Sequence, residues 1–189
     1  NGIIENHAAL RGEMIDLGYE FTSTTDSEVI VHLLHHFLRD GETMLGAMQK
    51  AVGRLQGAYA LAALDTENPG QIVAAREGSP LVVGVGIGEN FLASDQLALR
   101  QVTDRFIYLE EGDLVQITSA SMQVIDLSGQ RVERQVTRIS EALETIDRGN
   151  YDHFMHKEIH EQPRALADAL QIDADRRISA KCFGTGAEA

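Results

Sequence analysis

The hydrophobic period of this sequence changes at Gly57, and that change limits what the chain can fold into. Before Gly57, apolar residues recur every three to four positions, the spacing that lines one face of an α-helix. Leu10, Met14 and Leu17 mark a first short helix, which Gly18 is suited to close in the left-handed conformation. Ile30, Leu33, Leu34, Phe37 and Leu38 mark a second. The run Thr25-Asp26-Ser27-Glu28 ahead of it fits a capping box in which Thr25 and Glu28 satisfy free amides reciprocally, and Gly41 ends the helix. Met44, Ala47, Met48, Ala51, Val52 and Leu55 give a third stripe, starting near Thr43. Beyond Gly57 the apolar runs become short, at 58–64, 72–75, 81–85, 90–93, 106–109, 113–117, 122–127 and 130–136. Turn signals separate them, among them Asn68-Pro69-Gly70, Gly112 and Ser128-Gly129. Parallel neighbours would need crossovers of a dozen or more residues, for which these gaps leave no room. The chain therefore reads as α+β, with helices segregated ahead of an antiparallel sheet system.

From residue 140 the pattern loosens. Ile139, Leu143 and Ile146 fit a short helix, Arg148-Gly149-Asn150 breaks it, and 151–161 mixes aromatic, histidine and charged residues before Pro163. Residues 164–170 return to helical spacing, and 171–189 is polar and Gly/Ala-rich, the character of a linker. The sequence carries 29 acidic against 16 basic side chains, a net charge of −13, which repels nucleic-acid phosphates and anionic lipid rather than gathering them. No apolar stretch approaches the roughly 20 residues that cross a bilayer. The lone Cys182 cannot form an internal disulfide, which points to a reducing compartment and to the cytoplasm by default. The chain opens on Asn1-Gly2-Ile3-Ile4 with no initiator Met, and is expected to be an internal piece of a longer polypeptide.

Several residues invite chemistry, each beside a plainer account. Gly84-x-Gly86-x-Gly88 lacks the spacing of a dinucleotide loop and is followed by a strand pattern, so a hairpin turn accounts for it. His32 and His36 have the i,i+4 spacing of metal ligands, but no third ligand is spaced to join them and a solvated helix face is favoured. His153, His156 and His160 read as surface, and Cys182 has only Lys181 nearby to lower its pKa, so it reads as inert. Neither a metal nor a cofactor is called for. Asn1-Gly2 pairs a side-chain amide with a glycine backbone N–H, two donors suited to a developing oxyanion, though the dipeptide is also a common turn. Asp26 is a natural helix cap, and a carboxylate held there can also bind an ammonium group.

Taken together, the segments Asn1-Gly2-Ile3-Ile4-Glu5-Asn6, Thr24-Thr25-Asp26-Ser27-Glu28-Val29-Ile30, Leu55-Gln56-Gly57-Ala58-Tyr59 and Ala75-Arg76-Glu77-Gly78-Ser79-Pro80-Leu81-Val82-Val83-Gly84 resemble one family. So do Asn90-Phe91-Leu92-Ala93-Ser94-Asp95, Tyr108-Leu109-Glu110-Glu111-Gly112-Asp113 and Met155-His156-Lys157-Glu158-Ile159-His160-Glu161-Gln162-Pro163. The family is that of the isomerising glutamine–fructose-6-phosphate aminotransferases, in their glutaminase domain. The last segment is the most specific, because it resembles the joint between the glutaminase and sugar-isomerase domains.

The resemblance implies an amino-terminal-nucleophile hydrolase fold, a four-layer αββα sandwich with antiparallel sheets. It implies a partial amidotransferase domain over 1–147 and a joint leading to sugar-isomerase modules over 148–189. In the family an amino-terminal cysteine attacks the side-chain amide of glutamine, and ammonia passes to fructose 6-phosphate to give glucosamine 6-phosphate. Carried over by position, Asn1 and Gly2 form the oxyanion hole and Asp26 holds the α-ammonium of glutamine. The family's nucleophilic cysteine and its carboxylate-gripping segment have no counterpart in these residues, so the chain is expected to be silent alone and part of a homo-oligomeric enzyme. Two alternatives stay open: another type 2 glutamine amidotransferase, and a nucleophile-less binding or regulatory module of the same fold.

Overall fold

A computed structural model describes residues 2–139 and 150–169. By its internal contacts the chain divides into two compact units, 1–140 and 141–189. The first unit begins with strand β1 (Gly2–Ile4) and three helices, α1 (His7–Asp16), α2 (Ser27–Arg39) and α3 (Met44–Val52). These helices form where the apolar spacing places them. Leu10 and Met14 of α1, Val29, Ile30, Leu33 and Leu34 of α2, and Met44, Ala47, Met48, Ala51 and Val52 of α3 are all buried. The Thr43 side chain caps α3 by accepting from the Gly46 amide at 3.1 Å. Leu17 departs from its stripe: it lies past the last turn of α1 and is 54% exposed.

Nine further strands follow: β2 (Gly57–Leu64), β3 (Gln71–Glu77), β4 (Val82–Val85), β5 (Asn90–Ala93), β6 (Arg105–Tyr108), β7 (Leu114–Thr118), β8 (Met122–Ile125), β9 (Arg131–Val132) and β10 (Val136–Arg138). They pair antiparallel throughout, in two sheets of order β1-β2-β3-β7-β8-β9 and β10-β6-β4-β5. Alternation along the first sheet feeds two cores. Val73, Ala75, Leu114 and Ile125 face the helices, whereas Ala74, Val115, Ile117 and Val124 face Leu81, Val83, Ile107 and Leu109 across the gap to the second sheet. Burying one such large aliphatic side chain is worth about 1.5–3 kcal/mol.

The described residues of the first unit thus stack as helices on a sheet on a second sheet, an α+β sandwich. The outer face of the second sheet, which buries Val82 and Phe106, is covered by the segment after β5: a single 3-10 turn (Gln96–Ala98) with Leu99 and Thr103 packed against Gly84.

Two sequence expectations are corrected here. The 130–136 run is not one strand but splits into β9 in the first sheet and β10 in the second, because the chain changes sheets between them. In the second unit, the helical spacing read only from 164 begins earlier: a helix, α4 (Phe154–Ala169), runs through Pro163. Proline there removes one backbone hydrogen bond, to the Ile159 carbonyl, and crowds that carbonyl, while the flanking Glu, Gln, Arg, Ala and Leu residues are good helix formers. The short helix expected around Leu143 and the tail with Cys182 lie outside the described residues.

Candidate active site

The loop from α1 to α2 is tied down at both ends. Gly18 does close α1, with the Gly18 amide donating to the Ile15 carbonyl and the Tyr19 amide to the Met14 carbonyl, each at 2.9 Å. Phe21 then lies under the Arg11 guanidinium, 4.4 Å from the ring centroid, and the same guanidinium donates to the Ser23 carbonyl. The Glu28 carboxylate accepts the amides of Thr22 and Ser23, both at 2.7 Å, and the Ser23 hydroxyl at 2.5 Å.

These bonds replace the capping box read from the sequence. Helix α2 starts one residue later than the box requires, so Asp26 occupies the cap position and Glu28 falls too early to return to Thr25. The Ser23 hydroxyl, and after it the Thr22 amide, hold the Glu28 carboxyl down at about 2 from the usual 4.5. A carboxyl lowered by folding contributes stability that is complete above its unfolded pKa and is lost as pH falls through the folded one. The Thr22 and Ser23 amides are therefore expected to lose hydrogen-exchange protection between pH 4.5 and about 2, ahead of the core strands. Protection at those two amides that does not change across this window would refute it.

The Asp26 side chain makes no capping bond to its own helix. Its Oδ2 instead accepts the Ile4 amide at 2.8 Å, across 22 residues, while Oδ1 accepts the Ser27 hydroxyl at 3.4 Å. The Ile4 amide is the main reason its carboxyl lies below the usual range, so it is ionised at neutral pH.

Strand β1, which Gly2 opens, lies against β2 in the register Gly2↔Tyr59, Ile3↔Ala58, Ile4↔Gly57. Asn6 closes its far end, accepting the Gln56 amide at 2.9 Å and donating to the Arg54 carbonyl at 2.8 Å. The Asp26 carboxylate is therefore bonded to the strand that begins with Gly2. Asn1 lies outside the described residues. One Asp26 oxygen accepts the Ile4 amide and the other the Ser27 hydroxyl, which leaves lone pairs and a fixed negative charge suited to a cation that also approaches the start of β1.

The other candidates resolve differently. Gly84, Gly86 and Gly88 sit on the β4–β5 hairpin, where the Gly86 amide donates to the Glu89 carbonyl at 3.0 Å. His32 is not on a solvated face: its ring packs 4.4 Å from Phe21 and 5.0 Å from Tyr19, and its Nε2 lies 3.6 Å from Glu28 Oε1. His35 Nδ1 pairs with the Tyr19 hydroxyl at 2.9 Å, and His36 lies near Asp40. In the second unit Tyr151 stacks on His160 and meets His156 edge-on. Among the described residues no three His, Cys, Asp or Glu side chains are grouped to hold a metal ion.

Beside α2 lies a groove of about 530 Å³ lined mainly by Ile30, Val31, Leu34, Leu61 and Leu64. It is apolar, and so unlike a seat for a charged amino acid. Sequence reasoning missed two features. One is the loop-holding role of Glu28, whose place in the Thr-Thr-Asp-Ser-Glu run had been spent on a cap. The other is Asp113, the one buried charged side chain among the described residues, gripped by Arg134.

A family model described as a glutamine amidotransferase domain matches residues 1–101. The glutamine–fructose-6-phosphate aminotransferase (isomerizing) of Pseudomonas syringae pv. tomato is 57% identical over 171 residues, 90% of this chain and 28% of that protein. The protein of the same name from Vibrio parahaemolyticus is 52% identical over 181 residues, 95% of this chain and 30% of its own length. The chain thus spans less than a third of these relatives. Among solved structures, the glutamine phosphoribosylpyrophosphate amidotransferase of B. subtilis, complexed with ADP and GMP, superposes with a TM-score of 0.58 at 24% identity. It covers 69% of this chain and 29% of its own, a likeness of fold.

Proposed function

The chain belongs to the glutamine amidotransferase domain family, and on that premise we propose that it is the glutaminase portion of an isomerising glutamine–fructose-6-phosphate aminotransferase. The observation that carries the reading is the family match over residues 1–101, joined to 57% identity with an aminotransferase of that name. The bond from the Asp26 carboxylate to the strand that begins with Gly2 supports it.

In this reading the Gly2 amide and the Asn1 side-chain amide donate to the oxyanion that forms when the glutamine amide is attacked. Asp26 holds the α-ammonium group of glutamine. The nucleophile is a thiolate from outside these residues, since the one cysteine of the sequence, Cys182, belongs to the stretch assigned to the interdomain joint. Residues 1–147 form the amidotransferase portion and 148–189 the joint to sugar-phosphate modules. There the ammonia released converts fructose 6-phosphate to glucosamine 6-phosphate, in a cytoplasmic homo-oligomer and without a cofactor.

The test uses both this chain and a polypeptide continuing it to the length of the relatives. The 189-residue chain alone is expected to release no ammonia from glutamine. In the longer polypeptide Asp26→Asn is expected to raise KM for glutamine by roughly 10- to 100-fold, the scale of one charge-assisted contact. An unchanged KM, or ammonia release by the short chain, overturns the reading.

A further inference from the structure

Helix α2 begins with two carboxylates, Asp26 and Glu28, and neither serves the helix in the ordinary way. A carboxylate at the cap position usually turns back to accept an amide of its own first turn. Asp26 makes no such bond: its backbone is already helical, at φ −67° and ψ −29°, and its Oδ2 is turned out to the Ile4 amide. Something other than helix capping must then hold the chain entering Asp26.

Glu28 supplies that hold. Its two oxygens divide the work: Oε1 accepts the Thr22 amide at 2.7 Å and the Thr22 hydroxyl at 3.2 Å, and Oε2 accepts the Ser23 amide at 2.7 Å and the Ser23 hydroxyl at 2.5 Å. The Ser23 hydroxyl lies 2.8 Å from that of Thr25, and the Thr25 amide donates to the Ser23 oxygen at 3.2 Å, so the restraint reaches the residue before Asp26. From the other side Arg11 of α1 holds the Ser23 carbonyl, and Phe21 is packed between that guanidinium and the His32 ring.

We propose that Glu28 is a positioning residue for Asp26: by gathering the Thr22 and Ser23 amides it fixes the 22–25 segment so that the Asp26 carboxylate meets the Ile4 amide with Oδ2 and presents Oδ1, which also accepts the Ser27 hydroxyl, to the substrate's ammonium group. The inference rests on the glutamine reading only for the identity of that substrate. Glu28 touches neither substrate nor reacting atoms; it acts through the backbone that carries Asp26.

The test has a readout that needs no ligand. In the 189-residue chain, Glu28→Ala is expected to speed hydrogen exchange at the Ile4 amide about tenfold and to move the titration of the Asp26 carboxyl upward. The core amides of Val73 and Val115 should stay protected, which separates local release from unfolding. Glu28→Gln, which keeps one acceptor oxygen, is expected to fall between. Ile4 exchange and Asp26 titration both unchanged in Glu28→Ala overturn the assignment.

In the longer polypeptide Glu28→Ala is expected to raise KM for glutamine about tenfold with kcat unchanged. It should add nothing to Asp26→Asn, the non-additivity of two residues acting as one unit. A residue of merely structural importance would lower kcat as well as raise KM, and would add to Asp26→Asn. If Asp26→Asn leaves KM unchanged, the glutamine reading fails while the Ile4 amide still decides the role of Glu28. If Asp26→Asn raises KM and Glu28→Ala does not, the role of Glu28 fails and the glutamine reading stands.

Discussion

Replacing Arg134 by alanine is expected to destabilise the first unit by about 3–5 kcal/mol, the loss that follows when one partner of a buried ion pair is removed. Asp113 is 1% exposed, and Arg134 grips it in two-pronged fashion, Nε on Oδ2 and Nη2 on Oδ1, both at 2.8 Å. The Glu110 amide donates to Oδ2 as well, at 2.8 Å, so the pair also shapes the turn that leads into β7. Without the guanidinium the carboxylate stays buried beside that single donor, and either its charge or its burial must be given up.

The effect is a matter of pairing rather than of charge as such. A double replacement, Asp113→Leu with Arg134→Met, is therefore expected to recover part of the loss, because it removes both the buried charge and its need for a partner. Urea unfolding curves for the parent, the single and the double variants decide the point. A loss under about 1 kcal/mol for Arg134→Ala would place the pair with ordinary surface ion pairs.

Gly2→Ala is expected to unseat β1 and to cost on the order of 2–3 kcal/mol, through strain at a positive φ and a collision between backbones. Gly2 has φ +107°, and a methyl group there would run into the Ala58 carbonyl oxygen and lie 2.7 Å from the Tyr59 Cα. The same closeness recurs across the ladder, where a methyl on Gly57, at φ +120°, would meet the Ile3 carbonyl oxygen. Both glycines are therefore conditions of the pairing that places β1. Gly12, inside α1 with open space around it, is the control: Gly12→Ala is expected to add about 0.5–1 kcal/mol. Lost protection at the Ile4 amide should accompany the Gly2 change. Equal stability of Gly2→Ala and the parent chain would show that β1 tolerates a shift that the present packing does not allow.

How far the site could be read in advance depended on distance along the chain. Thr43 could be recognised as a cap because its partner, the Gly46 amide, is three residues away. The Thr25–Glu28 box used the same local rule and failed, because a start of α2 one residue later gave Glu28 to Thr22 and Ser23 and gave Asp26 to a strand 22 residues back. The 130–136 run had the composition of one strand. It is divided where the chain passes from one sheet to the other, and there Arg134 bonds to Asp113, a partner 21 residues earlier. His32 followed the helical period correctly, yet its surroundings came from Tyr19 and Phe21, which no period on α2 could report.

Residue order alone already required three helices ahead of a set of closely spaced strands, and antiparallel pairing among those strands. These follow from side-chain period and connection length, which are local quantities. The sequence also contained the segments by which the family is recognised, since they are runs of adjacent residues. The packed fold set the rest: the order of strands in the two sheets, the exchange of sheets between β9 and β10, and the bond from Asp26 to the strand that Gly2 begins. Each of those depends on a hydrogen bond or ion pair between residues far apart in the chain, and such pairings are chosen by the packed fold as a whole, where a buried polar group must find a partner wherever the chain brings one.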